Sequence, residues 1–266
     1  MKTRRNGKTG YLAAKMDMSK AYDRIEWSYL KGTMRTMGFS DRWISLVMNC
    51  VSSVTYSVVV NGKQCGWINP SRGLRQGDPL SLYLFLLCAE GFSSLLKVAA
   101  QEGSIQGIAA AKHCPRISHL FFTDDSLLLC RAKRKDCNKV VEILKLYENA
   151  SGQVVNMDKF GIFFSANTCD SDKDIARNIL GIQRIMENDN YLGLPLMIGM
   201  SKCREFRTIK KKIWSRIKGW GGRLLSRAGK AIMIQAVAQA IPLYVMSYFK
   251  LPKSLLCEIN MLFANN

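Results

Sequence analysis

Runs in which apolar residues alternate or cluster, separated by polar punctuation, predict most of the elements of this chain. Residues 11–18 read as a strand that ends in Asp17. A short turn follows, and then a helix that opens near Asp23, because Asp23 and Glu26 have capping-box spacing with Asp standing in for Ser or Thr. Ile25, Tyr29, Leu30, Met34 and Met37 form its expected buried stripe, and Gly38 stops it. A second helix after Ser40 should turn Trp43, Ile44, Val47, Met48 and Val51 inward. Residues 56–67 read as a hairpin around Asn61-Gly62, a pair that supplies the positive φ angles of a tight turn.

The polar loop 73–79 runs into a helix with Asp78 as N-cap and Pro79 at its first position, and Leu80, Leu84, Leu87, Gly91 and Leu95 mark the expected buried side. Two nearly continuous apolar strands, 117–122 and 126–130, flank Thr123-Asp124-Asp125, which puts two carboxylates at the tip of a buried hairpin. A helix over 135–150 stops at Gly152, and 154–165 returns as extended chain around Asn156 and Lys159. After a polar, locally acidic stretch the composition changes. Between Lys202 and Lys230 eleven Lys and Arg stand against the single acid Glu205, while Phe206, Ile209, Ile213 and Ile217 recur at helical spacing. The charge-free stretch 231–249 is long enough to raise a transmembrane reading, but Gln235, Gln239 and Pro242 interrupt it, and a buried helix is the better reading.

Charge adds what periodicity cannot. The 266 residues carry 39 Lys and Arg against 20 Asp and Glu, a formal +19, an excess that asks for a polyanionic partner. As a bland alternative, the basic run could be a solvated helix face. Nine cysteines without a C-x-x-C pair argue against a disulfide framework and against a zinc ribbon. The apolar run near the N-terminus is too short for a signal peptide, so an intracellular chain is expected, not a secreted one, with the nucleus as a candidate compartment and no membrane partner.

Asp124 and Asp125 alone are weak evidence, since Asp is common in turns. Their anchoring between apolar strands raises the reading, and Asp17 also ends an apolar strand. If those strands are neighbours, the three acids meet at one sheet edge. Like charges about 4 Å apart repel by roughly 4 kcal/mol at an effective dielectric of 20, so such a cluster implies bound cations. Hard divalent ions with oxygen ligands fit, and a pair of Mg²⁺ ions points to phosphoryl transfer.

Three segments then carry a resemblance. Lys15-Met16-Asp17-Met18-Ser19-Lys20-Ala21-Tyr22-Asp23, Arg72-Gly73-Leu74-Arg75-Gln76-Gly77-Asp78-Pro79-Leu80-Ser81 and Phe122-Thr123-Asp124-Asp125 resemble, in order, the A, B and C motifs of reverse transcriptases, closest to those of plant non-LTR (LINE-type) retrotransposons. Ser151-Gly152-Gln153, Asn156, Lys159 and residues 191–195 look like that lineage's following segments, and 219–252 is similar to its helical thumb.

The resemblance implies an α+β fold: a right-hand polymerase palm over residues 1–165, a connecting segment over 166–200, and a basic, incomplete helical thumb over 201–266, with most of the fingers absent. It implies that Asp17, Asp124 and Asp125 hold two Mg²⁺ ions. Tyr22 matches the steric gate beside the sugar 2′ position, although alone it would read as a core aromatic. Gln76, Gly77 and the adjacent Arg75 match the loop that meets the incoming nucleotide and template. Lys159 matches the lysine proposed to protonate departing pyrophosphate, a role a solvated lysine would not have. The expected partners are an RNA template, a DNA primer and deoxynucleoside triphosphates, with Lys210, Lys211, Arg216 and Lys218 on phosphates. Oligomeric state is not legible. Thr123, Leu82 and Phe160 replace the lineage's usual Ala, Pro and Ser. The implied activity is RNA-directed DNA polymerisation by a fragment with weak or no primer extension; the alternative is an inactive remnant that retains nucleic-acid binding.

Overall fold

The structure is a computed structural model that describes residues 9–109, 111, 113–123, 125–182, 185, 186, 190, 191, 193–195, 202–220 and 226–264. The chain forms two compact units with the boundary after Met186. In the first, β1 (Tyr11–Ser19) leads to helices α1 (Trp27–Thr36) and α2 (Asp41–Ser52), then to the hairpin β2 (Tyr56–Val60) and β3 (Lys63–Ile68) and the long helix α3 (Pro79–Gln101). The short strands β4 (Ile108–Ala109) and β5 (Arg116–Ile117) precede β6 (His119–Phe122) and β7 (Asp125–Arg131). Helix α4 (Arg134–Ser151), strands β8 (Val154–Val155) and β9 (Gly161–Phe164) and helix α5 (Asp170–Leu180) complete the unit. The second holds β10 (Asn190–Tyr191), β11 (Leu194–Pro195), α6 (Lys202–Trp220), α7 (Arg227–Met233), a π-helical turn (Ile234–Ala238), α8 (Ala240–Met246) and α9 (Lys253–Ala264).

β1 is the centre of an antiparallel sheet. β7 pairs along it from Tyr11 to Asp17, β6 lies outside β7, and β9 and β8 share the other edge of β1. Because side chains alternate along a strand, Leu12, Ala14, Met16 and Met18 enter the core with residues of α1, α2, α3 and α4, while Lys15 and Asp17 lie on the opposite face. The α+β architecture read from the sequence is the one observed.

Several local expectations are corrected. Helix α1 begins at Trp27 with Glu26 as its N-cap, and no side chain caps it. Asp23 sits instead in a turn closed by its own N–H on the Lys20 carbonyl, and Glu26 spends its carboxylate on Arg72 at 3.3 Å. Met37 and Trp43, expected inside, are exposed, Trp43 by 51%. The buried line of α3 is Ser81, Leu84, Phe85, Cys88, Phe92, Ser93, Leu96 and Ala99, shifted from the expected stripe because leucines occur all round this helix. β6 is an edge strand with Phe122 56% exposed, so the acidic hairpin is not buried on both sides. The Asn61-Gly62 hairpin forms as expected, with φ of 50° and 79°.

In the second unit α6 buries Phe206, Ile209, Ile213 and Ile217 in a core shared with Val245, Leu255 and Ile259. Stretch 231–249 is not a buried helix. Ala238, Pro242 and Val245 are buried, whereas Ile232, Leu243, Tyr244, Met246 and Tyr248 are exposed, since only one stripe packs inward. By length and composition alone, α3 and Ala228–Met246 could each cross a membrane.

Candidate active site

The register of β1 against β7 sets the site. Asp17 is the direct cross-strand partner of Asp125, at the end of the ladder. Opposed residues of an antiparallel pair project to the same face with Cβ atoms about 4.5–5.5 Å apart, where like charges destabilise the pair. Asp124 lies outside the described residues.

Two lysines offset the acids. The Lys159 ammonium pairs with Asp17 Oδ2, and Lys15 Nζ lies 3.6 Å from Asp125 Oδ1. Lys15 precedes Asp17 by two positions and so shares its face of the strand. Lys159 arrives by a turn: the Asn156 N–H extends the ladder onto the Asp17 carbonyl at 2.9 Å, the Asn156 side chain accepts from the Asp158 N–H at 3.2 Å, and the Lys159 N–H returns to the Asn156 carbonyl. Chain that leaves β8 is thereby folded back over Asp17.

Beyond β1 the chain turns at Lys20 and presents Tyr22, whose ring stacks on Phe85 of α3 with centroids 4.7 Å apart. The loop before α3 packs on this turn. Leu74 N–H donates to the Tyr22 carbonyl at 2.9 Å and Gly73 N–H to the Ile25 carbonyl at 2.8 Å. Gly73 has φ +88°, and a Cβ there would lie 2.7 Å from the Asp23 carbonyl oxygen, so only glycine permits this approach. Asp78 caps α3 by accepting from Leu80 N–H at 2.8 Å.

Asp17, Tyr22, Gln76, Gly77 and Lys159 thus line one cleft of about 670 Å³, together with Lys20, Leu82 and Thr123. Arg75 does not line it; it borders a neighbouring cavity of about 180 Å³ with Asp23 and Arg72. Of the cations singled out on α6, Lys211, Arg216 and Lys218 are on exposed positions, whereas Lys210 pairs with Glu258 and holds that carboxyl below its usual range. Lys210 and Lys211 also line a shallow pocket with Arg207 and Trp214. Lys15 escaped the sequence reading, although its i, i+2 spacing from Asp17 on a strand is the signal that would have found it.

Among the described residues no three His, Cys, Asp or Glu side chains gather as a metal cluster. Asp17 and Asp125 nevertheless offer hard oxygen donors on one face, and the two ammonium groups against them show that this position attracts cations. That donor set fits a divalent ion such as Mg²⁺.

Residues 2–196 match the family model for reverse transcriptase (RNA-dependent DNA polymerase). The chain belongs to this family. Relatives of the chain include an uncharacterized mitochondrial protein of Arabidopsis thaliana, 52% identical over 26% of the chain and 56% of that protein. The transposon TX1 149 kDa protein of Xenopus laevis is 26% identical over 85% of the chain and 17% of its own length. The Pol polyprotein of retrotransposable element R2 of Popillia japonica is 31% identical over 47% of the chain and 20% of its own length. The chain therefore spans about half or less of these proteins. The fold is similar to that of a Candida tropicalis telomerase solved with a fragment of telomeric RNA: TM-score 0.53 and 13% identity, over 92% of this chain and 40% of that one. The reverse-transcriptase reading of the motifs and the polymerase palm both hold, and the retrotransposon relatives agree with the LINE-type likeness.

Proposed function

We propose that the chain performs RNA-templated addition of deoxynucleotides to a DNA primer, as part of a retrotransposon-type reverse transcriptase. The observation that carries this reading is the direct pairing of Asp17 with Asp125 beside a cleft that also holds Tyr22, Gln76, Gly77 and Lys159. Asp17, Asp124 and Asp125 would hold two Mg²⁺ ions, which when bound would lower the pKa of the primer hydroxyl and offset charge on the leaving phosphate oxygen.

The chain's own residues do the rest. Gln76 and Gly77, in the loop pinned beneath Tyr22, orient the incoming deoxynucleoside triphosphate against the template. Tyr22, backed by Phe85, fills the space a ribose 2′-hydroxyl would need. Lys159 donates a proton to the departing diphosphate as its bond to the α-phosphorus breaks, so that the leaving group departs with less charge. Lys211, Arg216 and Lys218 supply positive charge for the phosphates of the template–primer. This work takes place inside the cell, where RNA and deoxynucleoside triphosphates are found.

Primer extension on an RNA template with Mg²⁺ tests the reading. Weak extension is expected, and Asp17→Asn or Asp124→Asn should reduce it by at least about a hundredfold. Undiminished extension in both variants would refute the site. Absence of extension with salt-sensitive binding retained would establish the second reading, a nucleic-acid binder without turnover.

A further inference from the structure

The segment Ser151-Gly152-Gln153 at the C-terminal end of α4 has no part in the chemistry above, yet it contains a deeply buried polar side chain. Gln153 is 2% exposed and its amide is satisfied at both ends. Its Nε2 donates to the Ala21 carbonyl at 2.9 Å, and its Oε1 accepts from the Tyr147 hydroxyl. The orientation is dictated, because a carbonyl can only accept and so the amino end must face Ala21. Tyr147 is itself buried between Phe92 and Tyr29, and that burial keeps its phenol protonated and able to donate.

Neighbouring hydrogen bonds bring the segment into place. Glu26 N–H donates to the Ser151 carbonyl at 2.9 Å, the Ser151 hydroxyl donates to the Tyr147 carbonyl at 2.7 Å, and Gln153 N–H donates to the Ser151 hydroxyl at 3.2 Å. Gly152, at φ +74°, comes so close that a Cβ would sit 2.5 Å from the Arg24 carbonyl oxygen.

The consequence concerns Tyr22. The Ala21 carbonyl belongs to the peptide plane before Tyr22, and the Tyr22 carbonyl to the plane after it. Gln153 holds the first, and Leu74 N–H holds the second. With both planes tethered, φ and ψ of Tyr22 are restrained from either side, and stacking on Phe85 orients the ring. We infer that Gln153 is a positioning residue for Tyr22, which holds the aromatic ring at the height in the cleft where it separates deoxyribonucleotides from ribonucleotides. The inference rests on the gate role proposed for Tyr22 and extends it to a residue remote in sequence that touches no substrate.

Gln153→Met keeps the length and apolar packing of the side chain and deletes both hydrogen bonds; Tyr147→Phe removes only the bond to the amide's oxygen end. Tyr22→Ala serves as the reference. The first measurement is the ratio of KM for dGTP and GTP in template-directed incorporation. Gln153→Met should lower this discrimination by about tenfold, mainly through the ribonucleotide KM with kcat for dGTP little changed, and Tyr147→Phe should shift it less in the same direction. The second measurement needs no turnover. Hydrogen exchange at the Leu74 amide, whose partner is the Tyr22 carbonyl, should accelerate by about tenfold in Gln153→Met while the amides of Ala13 and Ala14 in β1 stay protected. Wild-type discrimination and wild-type Leu74 exchange in a folded Gln153→Met chain would overturn the inference. If Gln153→Met does not fold, Tyr147→Phe with wild-type values does so. If Tyr22→Ala leaves discrimination unchanged, the gate itself is wrong and this inference falls with it. Discrimination that depends on Tyr22 but not on Gln153 removes the positioning role alone.

Discussion

Single residues show where burial and charge meet. Asp136 is fully buried, and its carboxylate is satisfied by the Arg131 guanidinium, at 2.8 Å, and by Gln106 N–H, at 2.9 Å. Arg131→Met would strand that carboxylate and should cost about 3–5 kcal/mol in urea unfolding, while Arg131→Met with Asp136→Leu should cost much less, because removing both charges leaves nothing unpaired. His119 behaves differently. Its ring lies against Phe121, bonded to Ser93 and Ser118 at 2.9 Å each, and burial, with help from Lys97, lowers its pKa below the ordinary 6.5. A histidine harder to protonate when folded binds fewer protons in the folded state than in the unfolded state. Stability therefore falls as the pH drops below 6.5. His119→Gln should flatten that part of the pH profile of the urea midpoint. Neither role was legible beforehand. An Asp on a helix and a His in a strand look the same in sequence whether they are solvated or enclosed, and only their partners, Arg131 at five positions and Ser93 at 26, decide it.

At the scale of elements, close approach governs what periodicity leaves open. Gly91 lies inside α3, where alanine would ordinarily be preferred by about 1 kcal/mol. Here a Cβ would meet the Tyr29 hydroxyl at 2.1 Å, so α1 and α3 can touch at this point only because position 91 lacks a side chain. Gly91→Ala is expected to lower stability despite its higher helix propensity, and Tyr29→Phe in the same chain should recover part of the loss, as the next ring atom lies at 3.2 Å. Thermal denaturation of the three variants checks this. The start of α1 follows the same rule. Asp23 and Glu26 have capping spacing, but Glu26 is drawn to Arg72 and Asp23 is covered by Gly73, so the helix begins one turn later. Capping rules see four residues, whereas competing partners came from 46 positions away. The helix stop at Gly152, the cap at Asp78 and the Asn61-Gly62 hairpin were legible because each is satisfied by the chain within a few residues.

For the whole molecule, the +19 charge should make the proposed binding to nucleic acid salt-dependent. The logarithm of the affinity should fall linearly with the logarithm of salt concentration, and replacing Lys211, Arg216 and Lys218 with alanine should reduce that slope by about 0.9 for each phosphate no longer neutralised. Fluorescence anisotropy across a salt series measures it, and an unchanged slope would move the binding face elsewhere. What the sequence determined alone was most of the elements of the first unit, though not helix α5 in the stretch read only as polar and acidic, together with the class of fold, the excess of positive charge and the residue types able to do phosphoryl transfer. Each depends on neighbours along the chain or on sums over it. The tertiary structure decided that Asp17 faces Asp125, that Lys15 and Lys159 offset them, that Arg75 stands apart from the cleft and that Gln153 reaches Ala21. These depend on strand register and on turns that close over more than 100 positions, where a slip of one residue would send every strand side chain to the other face.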